Sequence, residues 1–165
     1  AATTTEWVVR EFIPDVENNA CIYHGMPLHT EYRVFVDFDT NEVLGVHNYW
    51  DPDVMKPHFE KRVEMDPSDL DAKHDLVTYL MNEERLVTRY EENKSIVSEH
   101  VQELLSDIEM TGQWSIDIMQ NGDRFYLIDM APAQNSAFYK ETVPEGKRVG
   151  ITENWLPDLS KQIED

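Results

Sequence analysis

Cysteine is almost missing from this chain, and that excludes a good deal. With Cys21 alone no internal disulfide can form, so the fold has to rest on an apolar core. His24 follows three residues on, but no second Cys/His pair stands at ligand spacing, which argues against a zinc site. Glycine is scarce too. The 6 glycines are widely spread and form neither a GxxxxGK[ST] phosphate loop nor a GxSxG elbow. Basic residues are outnumbered, 14 Lys and Arg against 33 acids. A net charge of −19 repels phosphate backbones, which excludes charge-driven nucleic-acid binding, whereas a basic protein partner or cations would be attracted. No apolar run approaches the roughly 20 residues of a membrane-spanning helix, and no signal-peptide pattern is present, so no membrane is expected as a partner. These absences fit a reducing, cytoplasmic setting.

What is present is enough for a globular core: 41% of 165 residues are hydrophobic, sufficient for one domain or the larger part of one. Ala1–Thr5 reads as a leftover or frayed start, and residues 6–165 read as a single lobe. Trp7 to Ile13 is a β-rich run ended by Pro14. Residues 14–30 read as a long loop with a short strand near Cys21–His24. Glu31–Phe38 alternates polar and apolar residues, turns at Asp39–Glu42 and returns through Val43–Trp50. Residues 51–64 carry an Asp cap, and Pro57 restricts a helix there to the residues after it or makes it the first turn. Ser68 caps a long helical stretch on which Leu76, Leu80 and Val87 share one face. Val97, Val101, Leu104, Leu105 and Ile108 form a second stripe, stopped by Met110–Gly112. Trp155–Ile163 suits a short last helix. The order predicts an α+β fold, an antiparallel sheet with packed helices.

The stretch WSIDIMQNGDRFYLIDMAP, residues 114–132, places Asp117 and Asp129 inside two runs that otherwise suit a core. A two-residue turn at Asn121-Gly122 sends these acids to opposite faces. An odd loop or one bulge brings them to one face. With the turn centred near Asp123 they become neighbours, beside Ser115, Met119, Phe125 and Leu127. Ile116, Ile118, Tyr126, Ile128 and Met130 then face the core. Two adjacent carboxylates under apolar cover need neutralising, either by a divalent cation such as magnesium or by a nearby Arg or Lys.

This hairpin resembles the metal-binding hairpin of the ATP-grasp superfamily, in which an acid on each strand holds magnesium against nucleotide phosphates. Asp117 and Asp129 match those acids. The family's further ligand, an Asn two residues after the second acid, is Ala131 here, and Asn135 is the amide that would replace it. The run WVVREFIP resembles the family's hinge strand, which implies adenine contacts at Glu11, Phe12 and Ile13, with Arg10 near the phosphates. The run TEYRVFVDFDTNEVLGVHNYW resembles the following strands in the branch containing the cell-division-cycle type initiation-factor assembly chaperone. On that match Glu31 approaches ribose or a cation, and Arg33 approaches phosphates or an acyl-phosphate oxygen.

The resemblance spans roughly residues 6–136 and implies the C-terminal lobe of an ATP-grasp fold, with ATP and Mg2+ as cofactors. The implied activity is an ATP-dependent ligase joining a small carboxylate or peptide substrate to an amine or thiol. The family's lobe before the hinge, with its lysines and glycine-rich flap, is not in this sequence, so one lobe is expected. Lys94, Lys140 and Lys147 are equally eligible as phosphate partners. A second reading is a non-catalytic assembly chaperone or protein-binding platform, favoured by Ala131 and by the acidic charge. The run DFDTNEVLGVHN begins like a calcium loop with Asp37, Asp39 and Asn41. Glu42 replaces its glycine, however, and Asn48 its bidentate glutamate.

Overall fold

The computed structural model describes residues 11–149. Arg10, most of the Trp7–Ile13 run, Ala1–Thr5 and Trp155–Ile163 lie outside the described residues. Glu11–Ile13 belong to no strand, so the β-rich reading does not hold there. Phe12 is 84% exposed and, among the described residues, has no sheet neighbour to cover it. A small hairpin follows, β1 (Cys21–Ile22) paired with β2 (Met26–Pro27), so the expected strand near Cys21–His24 stops at Ile22. Tyr23 and His24 form its turn instead, both in the left-handed region.

The main sheet has four antiparallel strands, β3 (Thr30–Asp37), β4 (Glu42–Asn48), β5 (Gln113–Asn121) and β6 (Arg124–Pro132), in the order β4-β3-β5-β6. The fold is α+β, as the sequence pattern predicts. Between β4 and β5 run two helices, α1 (Pro52–Met65) and α2 (Leu70–Leu104). Pro57 lies inside α1, against expectation. Both Pro57 and Asp53, whose carbonyl loses its helical donor, are exposed, so that carbonyl is open to solvent. The cap of α2 is Asp69 rather than Ser68: Asp69 Oδ1 accepts from Asp71 N at 2.9 Å and Ala72 N at 3.0 Å. Helical winding ends in a 3-10 turn at Leu105–Asp107, before Met110–Gly112.

At 35 residues, α2 spans about 52 Å and serves two separate cores. Its second half packs Val97 and Val101, and the 3-10 turn after it Leu105, on Tyr32, Val34, Val36, Ile116 and Ile118 of the sheet. Its first half packs Tyr79 and Leu86 with Phe59 of α1 and with Ile22, Leu28 and Trp50. The predicted faces are shifted, since Leu80 and Leu104 are exposed. Asp75 holds a core position instead, paired with Arg62 at 2.8 Å and accepting from Tyr23 N at 3.0 Å. Counting apolar residues along α2 misplaces the stripe for that reason. Among the described residues no helix is long and apolar enough to cross a membrane.

The opposite face of the sheet carries a smaller cluster at one end, Phe35, Leu44, Ala133, Tyr139 and Val143, closed by α3 (Tyr139–Thr142). Gly45 makes this closure possible: a Cβ there would lie 2.7 Å from Thr142 Cγ2 and 3.1 Å from Thr142 O. Gly45→Ala therefore destabilises the protein by about 1–3 kcal/mol in urea unfolding. Adding Thr142→Ser, which removes the nearer methyl, recovers part of the loss. Equal stability of Gly45→Ala and wild type would contradict this packing.

Candidate functional site

The rest of that face is polar, and strand register builds it. In β3, Glu31 and Arg33 alternate with the core residues Tyr32 and Val34 and so point away from α2. Across the ladder Glu31 pairs with Met119, and Arg33 pairs with Asp117 on one side and His47 on the other.

The β5–β6 turn is Gly122-Asp123, one residue beyond the expected Asn121-Gly122. Gly122 takes φ 63°. Asn121 pairs with Arg124, and its side chain holds the incoming chain, accepting from Val16 N at 3.0 Å and donating to Pro14 O at 2.9 Å. A register shift beyond Asp117 then leaves Ile128 as the extra residue of a bulge, and Asp117 and Asp129 face each other as partners. The shift also corrects the expected faces. Phe125 and Leu127 line the α2 side with Ile118, while Tyr126 opposes Met119 on the acids' side. Only Asp117 is buried, because β6 is the edge strand among the described residues and Asp129 is exposed.

Arg33 grips Asp117 with a two-pronged bond, Nε to Oδ1 at 2.8 Å and Nη2 to Oδ2 at 2.7 Å. Its Cζ lies 4.8 Å over the Tyr49 ring. Burial opposes the guanidinium charge, but the Asp117 bonds and the charges of Asp117 and Asp129 outweigh it and hold the Arg33 pKa above its usual value. Asp117 is thus neutralised by an arginine. Asn135 is exposed in a 3-10 turn, Ala133–Asn135, with no hydrogen bond to either acid.

Glu31 is nearly buried and, among the described residues, its side chain makes no ion pair. Burial first, and then the Asp117 charge, push its pKa from 4.5 up to about 8, against the opposing influence of Arg33. The Trp50 indole is near enough to favour the charged form, yet among the described residues its Nε1 makes no hydrogen bond of good geometry. Glu31 opens onto a cavity of about 550 Å³, with Glu11, Phe12 and Ile13 on its walls and Met119 and Ile128 beside Glu31. Asp15 and His29 also line it. A neighbouring hollow of about 710 Å³ lies between Glu11–Pro14 and the hairpin turn.

Two groupings escape sequence reading. Asp15, Glu17 and His29 come together closely enough to hold a metal ion. The Asn19 amide nitrogen already lies between them, 3.1 Å from Asp15 Oδ1, 3.2 Å from Glu17 Oε2 and 3.2 Å from His29 Nδ1. Arg89 also pairs with Glu17 at 2.8 Å, tying this loop to α2. Burial raises the Glu17 pKa, but the Arg89 bond and the Asn19 amide bring it below its usual value. The second grouping is His47, which meets Asp51 Oδ2 at 3.0 Å and Thr142 Oγ1 at 3.0 Å and stacks on Phe138. Spacing reveals neither, since each is completed from a distance: His29 closes on the loop at residues 15–19 across the small hairpin, and Thr142 and Phe138 reach His47 from much later in the chain. Of the eligible lysines, Lys94 pairs with Glu91 and Lys147 with Glu42.

The Glu31 pKa carries a sign. Folding holds its proton up to about pH 8, whereas the unfolded chain releases it near 4.5, so stability falls as pH rises through that window and levels off above it. Glu31→Gln keeps the neutral form. Its melting temperature relative to wild type rises between pH 5 and pH 8.5, and an offset equal at both pH values would contradict the burial assignment.

Compared with known proteins, the chain matches no family model, no curated protein and no solved structure.

Proposed function

We propose that this face and the cavity beside it form the nucleotide–magnesium site of an ATP-grasp lobe. The activity proposed is an ATP-dependent ligase joining a carboxylate to an amine or thiol. One observation supports this above the others. Glu11–Ile13 and Glu31, picked from separate stretches of sequence, line a single cavity, and Met119 at its edge is the next same-face residue after Asp117. At about 550 Å³ the cavity lies within the range of small-molecule sites.

Each wall suits one part of a nucleotide. Phe12, Ile13, Met119 and Ile128 offer apolar contact for a base, and the backbone of Glu11–Ile13 offers hydrogen bonds to its edge. The protonated Glu31 carboxyl can donate and accept at ribose hydroxyls. Asp117 and Asp129, hard oxygen donors on paired residues, are the groups that would hold magnesium. When bound, that ion supplies positive charge against the phosphate oxygens. Arg33 supplies a planar cation at the same place, with Nη1 free of hydrogen bonds among the described residues. The proposed chemistry is attack of a substrate carboxylate oxygen on the γ-phosphorus with ADP leaving. Attack of the amine or thiol on the acyl carbon follows, and phosphate leaves.

A second reading has specific support. Ala131 pairs with Ser115 where the family carries its amide, and Asn135 makes no bond to the acids. A platform that binds nucleotide without turnover and docks a basic protein on the −19 surface accommodates both facts.

Titration calorimetry with ATP and Mg2+ tests the site shared by both readings. Saturable, magnesium-dependent binding is expected. Asp129→Asn, a change at an exposed carboxylate, weakens it roughly tenfold or more, about 1.4 kcal/mol. No binding by the wild-type protein would overturn the proposal.

A further inference from the structure

Among the described residues, the groups on the proposed phosphate end of the face are few. From β3 come Glu31 and Arg33, from β5 Asp117, from β6 Asp129, and from β4 and its end His47 and Tyr49. His47 is committed to Asp51 and Thr142. That leaves one cation, Arg33, beside Asp117, with Asp129 on the far side of Asp117, and the guanidinium takes both Asp117 oxygens.

An ion shared by Asp117 and Asp129 needs an Asp117 oxygen within about 2.1 Å. Both are already bonded to Arg33, at 2.8 and 2.7 Å. A divalent ion entering beside the guanidinium would also meet a like charge under little solvent, since the Arg33 and Asp117 side chains are 14% and 6% exposed. Arg33 is not otherwise anchored. Among the described residues it bonds to no other side chain, and the Tyr49 ring beneath it offers a contact that survives a swing of the guanidinium. Released from Asp117, its nearest need is another planar set of oxygens, which a phosphate provides.

We infer that Arg33 is a stand-in for the cation: it closes Asp117 to free metal and yields it only when a phosphate of the nucleotide takes over the guanidinium, so that metal and nucleotide bind as a unit. This rests on the nucleotide–magnesium reading above and adds to it a coupling between metal and nucleotide through Arg33. The coupling is reciprocal, because each ligand removes the obstacle to the other.

Mn2+ serves as probe, its binding followed by electron paramagnetic resonance with and without ADP. In wild type, free Mn2+ binds weakly and ADP tightens it at least tenfold. In Arg33→Met free Mn2+ binds at least tenfold more tightly, and the effect of ADP shrinks toward none. Adding Asp129→Asn to Arg33→Met abolishes the gain, which separates this site from Asp15, Glu17 and His29. Arg33→Lys keeps the charge but grips one oxygen at a time and gives an intermediate gain, so the test stands if Arg33→Met does not fold. Unchanged free-Mn2+ affinity in the variants, with the ADP effect on wild type intact, would overturn the exchange alone. No ADP effect on wild type would overturn both the exchange and the nucleotide reading.

Discussion

The bond between Arg33 and Asp117 organises the face on which the functional reading depends. Two charged side chains buried together are costly unless each satisfies the other, and their two-pronged geometry does so. It requires β3 and β5 to be paired in one register only, with Arg33 opposite Asp117. That register also puts Glu31 beside Met119 at the cavity and leaves Tyr32, Val34, Ile116 and Ile118 for the α2 side. One residue of slip would send every one of these groups to the wrong face.

The two faces have different jobs. The α2 side is a continuous apolar layer and fixes the sheet. The other side has an apolar cluster at the end closed by α3, where Gly45 lets Thr142 approach, and Met119 and Ile128 at the cavity. Elsewhere it keeps buried or half-buried polar groups that a core has no use for, among them a carboxyl whose proton is held up to about pH 8. Groups of that kind, beside a cavity, are a recurrent mark of functional sites. The loop before β1 borders the same cavity and is fastened from both ends, by Asn121 to Pro14 and Val16 and by Arg89 to Glu17.

The strands were legible because their period is two, and α2 because its apolar residues recur at helical spacing. The pairing of Asp117 with Asp129 was legible only as one of two registers. The choice between them is made by the bulge at Ile128 and by a turn displaced one residue from Asn121, whose side chain is occupied with Pro14 and Val16. No local pattern records a contact that distant. Burial of Asp129 was misread because an apolar run does not reveal that its strand lies at the edge of the described sheet. Asp75 hid the true stripe of α2 for a related reason: a paired acid fills a core position as well as a leucine does. The Arg33–Asp117 bond answers in part what neutralises the hairpin acids, since arginine and magnesium were both open from sequence.

The functional account places a nucleotide across the face, base toward Glu11–Ile13 and phosphates toward Arg33. The most direct measurement is paramagnetic broadening of backbone amide resonances by Mn2+ added with ADP. The account predicts strong broadening at Asp117, Asp129 and Arg33, with shifts at Glu31 and Phe12–Ile13. Broadening centred instead on Asp15, Glu17 and His29, with Asp117 and Asp129 untouched, would contradict it.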